Sequence, residues 1–220
     1  MQTVLKNLFA RTVLVGGLLL VLCVFAFFNP LSHLALESGT IHLPKFSDFS
    51  TLVENGNVNV LSGVYVLNVL ALPVVQQPTG NSGYVSGHDD EATQFAMAAQ
   101  YGNIGLLAHN YLSSKLFSRL VIGEEVRLIY GDGTVKYFVI TEVLRYQALD
   151  PYSQWSSFRN LDNYHVLSTE QMFTRAYAGD HHVTFQKCIT SNGNSSWGRL
   201  FVIAVPKSFS FDHLIRQFLQ

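Results

Sequence analysis

Beyond residue 57 the chain breaks into short runs of β-branched and aromatic residues separated by turn-forming clusters, and that alternation restricts its folds most. Val58–Val75 is the first run, and Ile104–His109 follows a stretch with helical character around Glu91–Tyr101. Glu125–Tyr130 and Val135–Leu144 flank Gly131-Asp132-Gly133, the turn chemistry of a hairpin. Residues 149–164 are rich in Pro, Ser, Asn, Asp and Trp and read as a long loop. Ser168, with Gln171 three residues on, is a capping box that opens a short helix running to about Ala178. His182–Ile189 and Arg199–Val205 are two more strands, joined by the polar, turn-rich segment Ser191–Trp197. Many short strands with few helices predict a mainly β fold, a closed or nearly closed barrel over residues 58–206. In the tail, residues 207–220, Phe211, Leu214, Ile215, Phe218 and Leu219 fall at the spacing of an amphipathic helix.

The N-terminal end has a different character. Lys6 and Arg11 precede an uncharged run from Thr12 to Leu36, whose apolar heart is Val13 to Phe28. That heart is slightly shorter than the ~20 residues of a spanning helix, and its uncharged flanks complete the length. A cleaved signal peptide is the alternative. Ala35 suits such a cut, but His33 would then occupy the other small-residue position, so a retained anchor fits better. Basic residues before the run place residues 1–11 in the cytoplasm, residues 12–36 in the membrane and the domain outside the cell. Residues 37–57, with Pro, Ser, Asn and Gly and weak periodicity, read as a stalk. A formal net charge of −1 argues against a nucleic-acid partner, which needs a basic face.

The two cysteines gain meaning from their positions. Cys23 lies in the apolar run, so Cys188 is expected to have no disulfide partner in its own compartment. Such a cysteine is a buried small hydrophobe, an intermolecular link or a reactive group. Side chains alternate along a strand, which puts His182, Thr184, Gln186 and Cys188 on one face and Val183, Phe185, Lys187 and Ile189 on the other. The thiol therefore shares the polar face, and Lys187 points away from it. Arg199 opens the next strand, which is apolar on both faces, so its charge must meet a carboxylate, a carbonyl or a ligand. A guanidinium near a thiol favours the thiolate and can stabilise an oxyanion. His109 ends the apolar run Ile104–Ala108 and so places an imidazole at the mouth of a core strand. The His181-His182 pair reads as surface or turn residues and lacks a metal-ligand pattern. Asp89-Asp90-Glu91 lacks the ligand spacing of a calcium loop.

The order His109, Cys188, Arg199 resembles that of the bacterial sortases. The matching segments are Leu107-Ala108-His109-Asn110 at a strand end, Thr184-Phe185-Gln186-Lys187-Cys188 on a strand, and Gly198-Arg199 opening the next. The pattern departs from the usual Thr-Leu-x-Thr-Cys at Phe185 and Lys187. The resemblance implies an eight-stranded barrel behind a transmembrane anchor. It also implies transpeptidation without metal or organic cofactor, in which Cys188 is the nucleophile, His109 the acid/base and Arg199 the oxyanion partner. Thr184 and Gln186 would be wall residues of the substrate groove. The partners implied are secreted proteins bearing a C-terminal sorting motif and an amine acceptor of the cell envelope. An L,D-transpeptidase is a poorer match, because the residues around Cys188 lack a Ser-x-Gly-Cys pattern. A catalytically impaired, sortase-like binding module is the other alternative.

Overall fold

The computed structural model describes residues 43–109, 113–153 and 155–207. The expected cytoplasmic segment, the anchor over 12–36 and nearly all of the C-terminal helix lie outside these residues. Among the described residues no helix is long and apolar enough to cross a membrane.

Ten strands form one sheet. They are β1 (Leu61–Val66), β2 (Leu70–Gln76), β3 (Ala92–Phe95), β4 (Ile104–Leu107) and β5 (Glu125–Tyr130). Then come β6 (Val135–Ala148), β7 (Phe158–Asn160), β8 (Val166–Leu167), β9 (Val183–Ser191) and β10 (Asn194–Pro206). Their spatial order is β10-β9-β4-β3-β2-β1-β5-β6-β7-β8, and β10 also pairs with β6. That last pairing closes the ring through β10, β9, β4, β3, β2, β1, β5 and β6, an eight-stranded barrel, with β7 and β8 as a flap on the outer edge of β6. Closure removes the exposed sheet edges that a row of short strands would otherwise leave. The length of β6 makes it possible, since one end pairs with β5 and the other with β10 and β7. A register shift between Ile203 and Ala204 bends the β6–β10 ladder where the ring turns in.

Inside the ring the core is aliphatic and aromatic: Val64, Leu72, Leu106, Leu128, Ile140, Phe185 and Val202 are among its members. Phe117 lies edge-on to Phe185 with ring centroids 5.1 Å apart. Among the described residues four short helices decorate the barrel: α1 (Phe46–Val53), α2 (Ala96–Ala99), α3 (Ser113–Phe117) and α4 (Thr169–Tyr177). α1 falls within the segment read as a stalk. Phe46, Phe49 and Val53 form one stripe at helical spacing, which packs on Tyr65 and Ile129 and ties this segment to the barrel. The Glu91–Tyr101 stretch divides into β3 and α2, because Ala92 and Thr93 pair with β2 before the helical turn begins. The long loop holds β7, whose three residues are too few for periodicity to reveal. The turn between β9 and β10 is tighter than the polar segment Ser191–Trp197 had implied. Asn192 and Gly193 take φ of 50° and 74°, the left-handed pair of a two-residue hairpin turn, so both strands run almost to the tip.

Candidate active site

α4 is organised before it touches the barrel. The Gln171 backbone N–H donates to Ser168 Oγ (3.2 Å), and the Ser168 N–H donates to Gln171 Oε1 (2.9 Å). This is the capping box expected from sequence. The helix then buries Met172, Phe173, Ala176 and Tyr177 against Phe95, Leu107, Tyr146, Phe158 and Phe201 on the outside of the barrel.

The last carbonyls of a helix have no donor within it. Here the outward face of β9 supplies donors. Thr184 Oγ1 donates to the Ala176 carbonyl at 2.6 Å, and His182 Nε2 lies 3.0 Å from the same oxygen. Asn103 Nδ2 donates to the Tyr177 carbonyl at 2.8 Å. The Tyr177 hydroxyl donates to Gln186 Oε1. Burial raises the Tyr177 phenol well above its ordinary value, so it stays a donor at any physiological pH. Thr184 and Gln186, expected as groove walls, are thus buried residues that hold α4 in place. His182, read as a surface or turn residue, is 6 % exposed, and its second ring nitrogen lies 2.7 Å from the Asp180 carbonyl. The reading of His182 as exposed is corrected: the C-terminus of α4 needs donors, and His182 reaches it.

Cys188 continues this row past the end of α4. Its cross-strand partner on β10 is Arg199, in direct register, followed by Gln186 opposite Phe201 and Thr184 opposite Ile203. Directly opposed residues on one face of an antiparallel pair have Cβ atoms about 4.5–5.5 Å apart, so the thiol and guanidinium stems leave the sheet side by side. Cys188 is 7 % exposed and Arg199 is fully buried. Arg199 Nη1 donates to the carbonyls of Gly198 (2.9 Å) and Ser196 (3.3 Å), and its guanidinium carbon lies 5.6 Å from the centre of the Phe158 ring. Carbonyls and an aromatic face therefore hold the cation, as its burial demands. Burial pulls its pKa down to about 10, so it remains charged at neutral pH. Gly198 is required beside it, because a Cβ there would fall 2.3 Å from the Tyr146 carbonyl oxygen of β6.

His109 arrives from the other side. β4 pairs with β9 in parallel, Leu106 against Phe185 and Leu107 against Gln186. His109 lies two residues beyond the last paired residue, at the same end of the β4–β9 pair as Cys188. Leu107 packs with the outer cluster and Ala108 with the interior one. His109 is half-buried just past the end of β4. Burial lowers its pKa below the ordinary 6.5, partly opposed by a hydrogen bond with the Val85 backbone, so the imidazole is neutral at pH 7. The motif residue Asn110 lies outside the described residues.

Of the three expected catalytic residues, Cys188 and Arg199 are cross-strand partners on β9 and β10, and His109 follows the end of β4, which pairs with β9 on its other side. Sequence reasoning missed Phe158 over the guanidinium and Val85 at the imidazole; Phe158 is one of four aromatic residues in its loop, and nothing in the sequence singled it out. It also expected Cys188 to lack a disulfide partner. Instead Cys188 is disulfide-bonded, which corrects that expectation. The expectation rested on assigning Cys23 to a membrane segment, which lies outside the described residues. Lys187 occupies the opposite face from the thiol, and its ammonium donates to Ser118 Oγ at 2.9 Å.

No protein-family model matches the chain, and no curated protein matches it. Among solved structures it is similar to sortase C-1 from Actinomyces oris, at 12 % identity and a TM-score of 0.46, covering 79 % of this chain and 91 % of that one. It is also similar to sortase A of Listeria monocytogenes (14 % identity, TM-score 0.41, 68 % and 89 % covered). A lid mutant of Streptococcus agalactiae sortase C1 is a third (14 %, 0.43, 70 % and 73 %).

Proposed function

We propose that this chain is a membrane-anchored, sortase-type cysteine transpeptidase acting outside the cell. The observation that carries the reading is the direct cross-strand pairing of Cys188 with Arg199, with His109 just past the end of β4, the strand on the other side of β9. A nucleophile, a fixed cation and a neutral base on adjacent strands are the parts that acyl transfer needs.

The chemistry follows from their states. In the reduced protein, neutral His109 takes the thiol proton, and the Arg199 cation favours the resulting thiolate. The Cys188 sulfur adds to a peptide carbonyl, whose oxygen becomes an anion beside the guanidinium. The tetrahedral adduct collapses as its C–N bond breaks, and His109 returns the proton to the departing amine. A thioester remains. An incoming amine of the cell envelope then gives its proton to His109, attacks the thioester carbon and releases Cys188. The acyl donors in this reading are secreted proteins bearing a C-terminal sorting motif. Residues 12–36 tether the enzyme where they emerge. A buried arginine fixed by Gly198, Ser196 and Phe158 is preorganised for the oxyanion and loses little on reaction.

A second reading, a catalytically impaired sortase-like binding module, is favoured by Lys187, which stands beside the nucleophile where sortases usually have Thr. Incubating the reduced protein with a sorting-peptide library and an amine such as triglycine separates the two. The transpeptidase yields ligated peptide, whereas the module binds peptide and yields none.

A further inference from the structure

Behind the strands that carry Cys188 and Arg199, on their opposite face, lies a cleft of about 470 Å³. Its wall is a row across three strands: Lys187 on β9 stands opposite Leu200 on β10, and Leu200 stands opposite Arg145 on β6. The two cations therefore flank one leucine, about 10 Å apart at the backbone, two strand spacings. Lys115 of α3 and Ser118 just beyond that helix cover the row, and Thr190, Val143 and Ile189 complete the lining. The cations Lys187, Arg145 and Lys115 and the Ser118 hydroxyl thus meet at one cleft from β9, β6 and the α3 segment, and no carboxylate is among its described lining residues. Arg145 is balanced at the rim by Asp162, 2.8 Å away. Lys187 and Lys115 have no carboxylate so placed among the described residues. Burial, and then repulsion from Lys115, lower the Lys187 ammonium's pKa.

Gathering like charges in a partly buried cleft is unfavourable unless an anion joins them. The geometry points to a binding site for a phosphoryl group, contacted by Lys187 and Lys115, with Ser118 as a hydroxyl donor and Val143, Ile189 and Leu200 as an apolar floor. Two neighbouring ammonium charges match the roughly −2 charge of a phosphoryl group better than the single charge of a carboxylate. The site is independent of the Cys188 chemistry, so its failure and that of the proposed transpeptidase are distinguishable.

The test is titration of the full chain, in detergent at fixed ionic strength, with inorganic phosphate, and separately with vesicles of phosphatidylglycerol or of phosphatidylcholine. Wild type is compared with Lys187→Gln, Lys115→Gln and the control Arg119→Gln, a cation outside the cleft. Binding of phosphate should weaken about tenfold or more in each lysine variant, the scale of one hydrogen bond to a charged group, and stay unchanged in the control. The exposed Lys115 keeps the test valid should Lys187→Gln fold poorly. Binding of phosphatidylglycerol vesicles alone, with the same variant pattern, assigns the phosphoryl group to a lipid headgroup and supports the site. Equal binding by the lysine variants and the control, or no binding of either probe by wild type, overturns it.

Discussion

The two faces of the β9–β10 pair are equally buried and built on opposite terms. Toward the barrel interior, Val183, Phe185, Val202 and Ala204 are fully enclosed apolar side chains that need no particular partner. Toward α4, His182, Thr184, Gln186 and Arg199 are just as enclosed, yet each carries polar atoms that require one. The inner face is stable through volume and contact. The outer face is stable only because α4 ends there with carbonyls and a phenol that match the row residue by residue. Past the last of those matches comes Cys188, beside an arginine that is held by backbone carbonyls. A site with unusual chemistry is thus an extension of a polar seam that the fold already had to satisfy.

The largest effect should come from the inner face. Phe185→Ala removes a fully buried ring packed on Phe117 and should lower unfolding stability by about 3–5 kcal/mol in chemical denaturation. A loss under 1 kcal/mol would mean the lumen is not the main core. Next, Arg199→Ala and His109→Ala should each slow acylation by the reduced protein about a hundredfold or more, the scale of losing an oxyanion donor or an acid/base. Arg199→Lys should restore little, since an ammonium cannot keep the fork's two carbonyl bonds and the aromatic contact together. The pH profile gives an independent check on His109. Its folded value is depressed below 6.5, so the acylation rate should hold as pH falls to that point and drop only at lower pH. An acid limb centred above 6.5 would contradict the burial of the imidazole.

The outer seam predicts smaller, polar effects. Tyr177→Phe keeps the ring but leaves Gln186 Oε1 without its phenol donor, which should destabilise by about 1–3 kcal/mol. No change would show that this bond does not help to seat α4. Ser168→Ala breaks one arm of the capping box and should cost about 1 kcal/mol, with the loss confined to α4 in hydrogen exchange.

What could be read in advance follows the same division. Local chemistry was legible: the Ser168/Gln171 cap, the Gly131–Gly133 hairpin, and the alternation that separates Lys187 from Cys188. Barrel closure through β10 and β6 was legible only as a class, because pairings between strands distant in sequence leave no local mark. α1 escaped notice because its Phe46, Phe49 and Val53 stripe sits among residues that otherwise look like a linker. The three catalytic candidates could be named from their order, but their adjacency depends on a parallel pairing of β4 with β9 across more than seventy residues. The engagement of Thr184 and Gln186 with α4 was not legible, since alternation assigns a face without saying what will cover it.

The central claim is that Cys188, once reduced, is a nucleophile set between His109 and Arg199. Intact-protein mass spectrometry of the reduced protein after exposure to a sorting-peptide library tests it most directly. A thioester adduct should form on Cys188, disappear on adding an amine, be absent in Cys188→Ala, and form much more slowly in Arg199→Ala. No adduct on Cys188 across the library, with a reduced thiol that resists alkylation in the folded protein, would contradict it.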